Sequence, residues 1–128
     1  MVAVTADEVR KRLGLTSDDI SDNDVMAFVD EVAAFLSDEI GRTLDDQDCT
    51  EGEANAIRNL ATIYCYCHIT GGSAVGLSFS LGDLSVSETS APMEKRAQVQ
   101  FLLQQVERFI KRERRFAPTR ANHILQET

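Results

Sequence analysis

Residues 77–87 read Leu-Ser-Phe-Ser-Leu-Gly-Asp-Leu-Ser-Val-Ser. Leu77, Phe79 and Leu81 alternate with serines, and Leu84 and Val86 do the same after a break at Gly82-Asp83. Successive strand residues point to opposite faces, so strict alternation predicts two short strands. Gly-Asp between them is a two-residue hairpin signal, because glycine reaches positive φ without strain. No other part of the chain has this period; the flanks on both sides repeat every three to four residues. The fold class predicted is therefore mainly α: a small bundle of about four helices with an inserted β-hairpin or extended arm and an extended C-terminal tail. A lone hairpin is marginal in water, so this one either folds back on its own domain or pairs with another chain.

Working toward the N-terminus, Gly71–Gly76 is a linker of small residues. Before it, Ala54, Ile57, Leu60, Ala61, Tyr64 and Cys67 or His68 mark a third helix over about residues 51–70, stopped by Gly71-Gly72. Its second half is apolar almost all round, which predicts the most buried helix of the bundle. Thr50 with Glu53 is a capping box. Val25, Phe28, Val29, Val32, Leu36, Ile40 and Leu44 form the stripe of a second helix, capped by Ser21 or Asp22 and running to about Thr43. Thr5 with Glu8 opens a short first helix that Gly14 closes. Toward the C-terminus, Ser90 and Pro92 start a fourth helix that runs to Arg114 or Arg115. Its expected stripe is Met93, Ala97, Phe101 or Leu102, Val106, Phe109 and Ile110. The layout is a helical domain over residues 1–115 and a tail over residues 116–128.

The 128 residues carry a formal net charge of −8, unevenly spread. Residues 1–64 hold five basic and fifteen acidic side chains, and residues 65–128 hold eight and six. Such asymmetry favours contacts between unlike surfaces, in an oligomer or with a partner. Only three of the thirteen basic residues are lysine, and an acid-rich, lysine-poor chain resembles proteins adapted to high salt. No apolar run is long enough to span a membrane, and residues 1–12 lack a signal-peptide core.

The residues offer little chemistry. Cys65 and Cys67 lie about 200° apart on a helix, so they cannot clamp one ion, and no second pair completes a zinc site. Three cysteines in a chain with a real core read as free, packed thiols. The acids of residues 45–48 lack the glycine and final glutamate of a calcium loop. No nucleophile motif or phosphate-cradling loop is present, so the expectation is no enzyme, no cofactor and no metal. The basic segment 108–120 is the remaining feature. It suits a helix C-terminus, phosphate contacts as in a small helical DNA-binding regulator, or docking on an acidic partner.

The order of these elements, with Gly82-Asp83-Leu84-Ser85-Val86-Ser87 between the last two long helices, resembles the head–tail connector (adaptor) family of tailed viruses. The resemblance implies a structural virion protein of the neck between capsid and tail, made in the host cytoplasm. It implies a homo-oligomeric ring, commonly of twelve subunits, beneath the portal protein. A stopper or tail-completion protein then binds below, and DNA passes through without specific binding. By this likeness Leu77, Phe79, Leu81, Gly82, Asp83, Leu84 and Val86 form the inter-subunit arm. Arg114, Arg115, Phe116, Arg120, Ile124 and Leu125 form the portal-docking tail. A virus of a salt-loving host would account for the acidic excess.

Overall fold

The computed structural model describes residues 1–69 and 93–115. Among these lie four helices: α1 (Ala6–Lys11), α2 (Asp22–Ile40), α3 (Glu51–Ile69) and α4 (Met93–Arg115). The expected hairpin at 77–87 and the tail at 116–128 lie outside the described residues.

Each helix starts where its cap dictates. At α1 the Glu8 carboxylate accepts from the Thr5 backbone N–H at 3.0 Å, and Thr5 Oγ1 accepts from the Glu8 N–H. Ser21 Oγ caps α2 through the Asp24 N–H. Thr50 and Glu53 form the second reciprocal box, at 2.9 and 3.2 Å. These bonds satisfy backbone donors that have no partner inside the helix.

The helix ends are set by glycine. Leu15 N–H bonds to Arg10 O and Gly14 N–H to Lys11 O, with Gly14 at φ 68°, the Schellman arrangement for leaving a helix. Gly41, at φ 80°, donates to Ser37 O and ends α2 at Ile40, three residues before the expected Thr43. Ser37 Oγ then accepts from the Leu44 N–H at 2.8 Å, which turns the chain inward and buries Leu44.

α3 is the centre. Every residue from Ala56 to Cys67 is buried, and α1, α2 and α4 all pack against it. Val25, Val29, Val32, Leu36 and Ile40 of α2 face Ile57, Leu60, Ile63 and Tyr64 of α3 in one core with Val99, Leu102, Leu103, Val106, Phe109 and Ile110 of α4. Arg114 of α4 bonds to Glu39 near the end of α2, and Arg112 lies against Gly52 at the start of α3. α4 therefore runs parallel to α2 and antiparallel to α3.

The α1 side of α3 is polar. Arg12 Nε donates to Asn59 Oδ1 at 2.6 Å, and Thr62 Oγ1 lies 2.7 Å from both Val9 O and Arg58 O. Two arginines are almost wholly enclosed, Arg10 at 4% and Arg58 at 6% exposure. Arg10 donates to Ile20 O at 3.1 Å and pairs with Asp7 and Asp22. Arg58 pairs with Glu8 at 3.1 Å and Glu51 at 3.2 Å, while its Nε has no hydrogen-bond partner. The N-terminus is tied down separately: Val2 and Cys49 exchange backbone bonds at 2.8 and 3.0 Å, and Val4 N–H donates to Asp46 O.

Two substitutions test this picture. Leu60→Ala, at a fully enclosed site, should cost about 2–5 kcal/mol, read from the shift in urea midpoint at constant slope. Arg58→Met should change stability by less than about 1 kcal/mol, because its carboxylate partners face solvent and rehydrate while an unpaired buried N–H is removed. A loss of several kcal/mol in Arg58→Met would show that the ion pairs, and not packing, hold α1 on α3.

Candidate assembly surface

The described part of the basic segment divides into two sets. Arg112 and Arg114 are engaged within the chain. Arg112 stacks over the Phe109 ring at 5.6 Å and approaches Glu113 at 3.4 Å. Arg114 donates from Nε to Glu39 O at 2.9 Å and from NH2 to the Glu39 carboxylate. Beside them Arg42 bridges Glu53 of α3 and Glu113 of α4. Burial works against the Arg42 charge, but the hydrogen bonds it donates to the two carboxylates outweigh this and raise its pKa. Burial likewise pushes Glu53 up, and the Thr50 N–H and Arg42 outweigh that, leaving its carboxyl below the ordinary value. One end of the bundle is thus held by ion pairs joining α2, α3 and α4.

Arg108 and Lys111 form the second set. Both are exposed and make no ion pair among the described residues. They continue a face with Ala97, Phe101 and Gln104, at helical steps of three and four. Phe101 is 59% exposed, the only large apolar side chain besides Met1 left open among the described residues. The expected stripe of α4 was therefore correct at Leu102, Val106, Phe109 and Ile110 but out of phase at Ala97. Core packing selects Val99, Leu102 and Leu103, which turns Ala97 and Phe101 outward.

Of the residues assigned to the docking tail, Arg114 lies on the last turn of α4 with Glu39 as its partner, and Arg115 ends the helix. Phe116, Arg120, Ile124 and Leu125 lie outside the described residues, as do the arm residues Leu77, Phe79, Leu81, Gly82, Asp83, Leu84 and Val86. The cysteines are all free and buried. Burial, with a smaller opposing effect of Arg10, pushes the Cys65 thiol up to about 12, so it is protonated at neutral pH and packs as a small apolar group. Cys49 donates weakly to Val2 O at 3.4 Å. His68 is exposed at the end of α3, edge-on to Phe28 at 5.5 Å. Among the described residues no group of three or more His, Cys, Asp or Glu side chains is placed to hold a metal, and no helix is long and apolar enough to cross a membrane.

Comparison with protein-family models, curated proteins and solved structures finds no match to this chain.

The ion-pair cluster has a pH signature. A carboxyl with a depressed folded pKa contributes stability that is complete above its unfolded value and lost as pH falls through the folded value. Glu53, lowered from 4.5, should follow this rule. Glu53→Gln keeps the cap but removes the charge, so it should cost roughly 0.2–1 kcal/mol at pH 7. That difference should disappear as the pH drops well below the ordinary carboxylate range. Urea midpoints of both proteins against pH provide the measurement; a difference that persists in acid would assign the effect to packing.

Proposed function

We propose that this chain is a structural assembly protein rather than a catalyst. More narrowly, it is a head–tail connector of a tailed virus, a ring subunit beneath the portal protein that links the capsid to a stopper or tail-completion protein.

The observation that carries this reading is the order of elements. A short capped helix, an acidic connector, two long antiparallel helices and a longer fourth helix with a basic last turn follow in the sequence that the resemblance implies. They bracket residues 77–87, whose hairpin pattern would supply the inter-subunit arm. Two further observations support it. The second and fourth helices expose charge of opposite sign, as a chain that assembles with itself can use. The net charge of −8 also suits a DNA conduit, since strong phosphate attraction would retard passage. In this reading residues 116–128 dock on the portal, with Ile124 and Leu125 as apolar anchors and Arg120 as a charge contact.

One observation favours a DNA-binding regulator instead: Arg108 and Lys111 stand on one face without an ion pair among the described residues. Against it, Arg112 and Arg114 of the same segment are already bonded within the chain.

The test is binding and imaging. The full chain mixed with the portal of its virus should form a complex whose added ring is visible by electron microscopy. Truncation after Phe116 should leave the helical fold intact and reduce portal affinity by at least about tenfold, roughly 1.4 kcal/mol. Duplex DNA should not shift in a gel. Equal portal affinity of the full and truncated chains removes the docking tail from the reading. A DNA shift with a steep salt dependence, without portal binding, replaces the connector by the regulator.

A further inference from the structure

Two helix faces that have no partner among the described residues carry complementary chemistry. On α4, Phe101 stands exposed with Arg108 and Lys111 about two and three turns further along the same face. On α2, Ala27 and Ala34 are exposed with Asp30 and Glu31 between them. α2 contains no lysine or arginine, and neither Asp30 nor Glu31 forms an ion pair among the described residues. The two helices touch along the bundle, yet these cations and carboxylates do not pair among the described residues. Both faces are therefore left without a charged partner among the described residues.

We infer that the Phe101–Arg108–Lys111 face of α4 docks on the Ala27–Asp30–Glu31–Ala34 face of α2 in a second copy of this chain. The inference deepens the assembly reading above and rests on its premise that the chain associates with itself.

The spacing supports the match. Phe101 to Arg108 and Ala27 to Ala34 are both seven residues, about 10.5 Å along a helix at 1.5 Å per residue. Phe101 can seat against one alanine, where small side chains let a ring approach the helix backbone. Arg108 then stands beside the other alanine, with Asp30 and Glu31 within reach between the two. Lys111, one turn on, adds the second cation. The apolar contact supplies the buried centre, and the charges fix register and exclude like faces. Because the two patches differ, each copy offers one of each and the contact repeats from copy to copy. A nucleic acid would engage the cations but leave Asp30, Glu31 and Phe101 without a role. Charge complementarity thus selects a second copy over a phosphate backbone.

Sedimentation velocity of the full chain across a concentration series in low salt tests this, with circular dichroism and thermal unfolding to check each fold. The wild-type chain should self-associate. Phe101→Asp, and separately Arg108→Glu with Lys111→Glu, should each weaken association by at least tenfold. Asp30→Arg with Glu31→Arg should do the same. Combining all four charge reversals in one chain should restore association to within a few-fold of wild type, which loss of folding cannot mimic.

A wild-type chain that stays monomeric overturns the inference, as does association that survives these variants or a combined variant that is not rescued. Destabilised monomer with unchanged association in Phe101→Asp would show that the ring is covered within its own chain, and also overturns it. The outcomes separate from those of the connector reading. Portal binding with no effect of the face variants sinks this interface alone. Rescued self-association without portal binding keeps the interface and removes the connector.

Discussion

A helix that is buried on every side has to be enclosed before it can be stable, and α3 imposes that condition on the rest of the molecule. Twelve consecutive residues, from Ala56 to Cys67, lose contact with water, so no single partner helix could cover them. α2 and α4 supply the apolar walls and α1 the polar one. The short α1 would be marginal by itself at six residues. It persists because it docks on α3, where Glu8 pairs with Arg58 and Val9 O accepts from Thr62, and Arg12 just beyond it donates to Asn59. The same condition explains why Val9 of α1 and Leu13 just beyond it are enclosed.

Electrostatics then follows from geometry. The N-terminal half of the chain is strongly acidic, yet the two cations that it buries deepest, Arg10 and Arg58, each reach two carboxylates. Those carboxylates are largely exposed, so the arginines lie at the boundary of the core with their charged tips directed outward. Desolvation of the acids is slight, and each pair contributes modestly. The remaining carboxylates of α2 stay in water, where mutual repulsion is screened by salt within roughly 8–10 Å under ordinary conditions.

Much of this architecture was legible in the residues. Thr5 with Glu8, Ser21, and Thr50 with Glu53 announce three helix starts through local hydrogen bonds that depend on neighbours three positions away. The core positions Val32, Leu36, Leu60, Tyr64 and Val106 followed from periodicity, because a face that repeats every 3.6 residues can be satisfied only against another element. Three features were not visible. Gly41 ends α2 early, although the apolar stripe continues to Leu44; the stripe records burial, and Leu44 is buried from a loop. The polar seam 55–58–59–62 on α3 is the helical spacing of a docking face, but polar residues at that spacing read equally as a solvated one. In α4 the choice between Phe101 and Leu102 is a difference of one position, and only the bulk of α3 decides it. The free face of α4 followed from that choice and so was hidden with it.

The ion-pair cluster around Arg42 also has a mechanical meaning. Tension that enters the chain beyond Arg115 does not meet the apolar core first. It reaches Arg114, which is anchored to Glu39 on α2, and Glu113, which Arg42 links onward to Glu53 on α3. A pull on one end of the chain is shared at once among three helices, so no single helix has to peel away alone. Ions in the medium weaken those links and leave the core packing unchanged. Salt should therefore make this end of the molecule more compliant in brine than in dilute buffer.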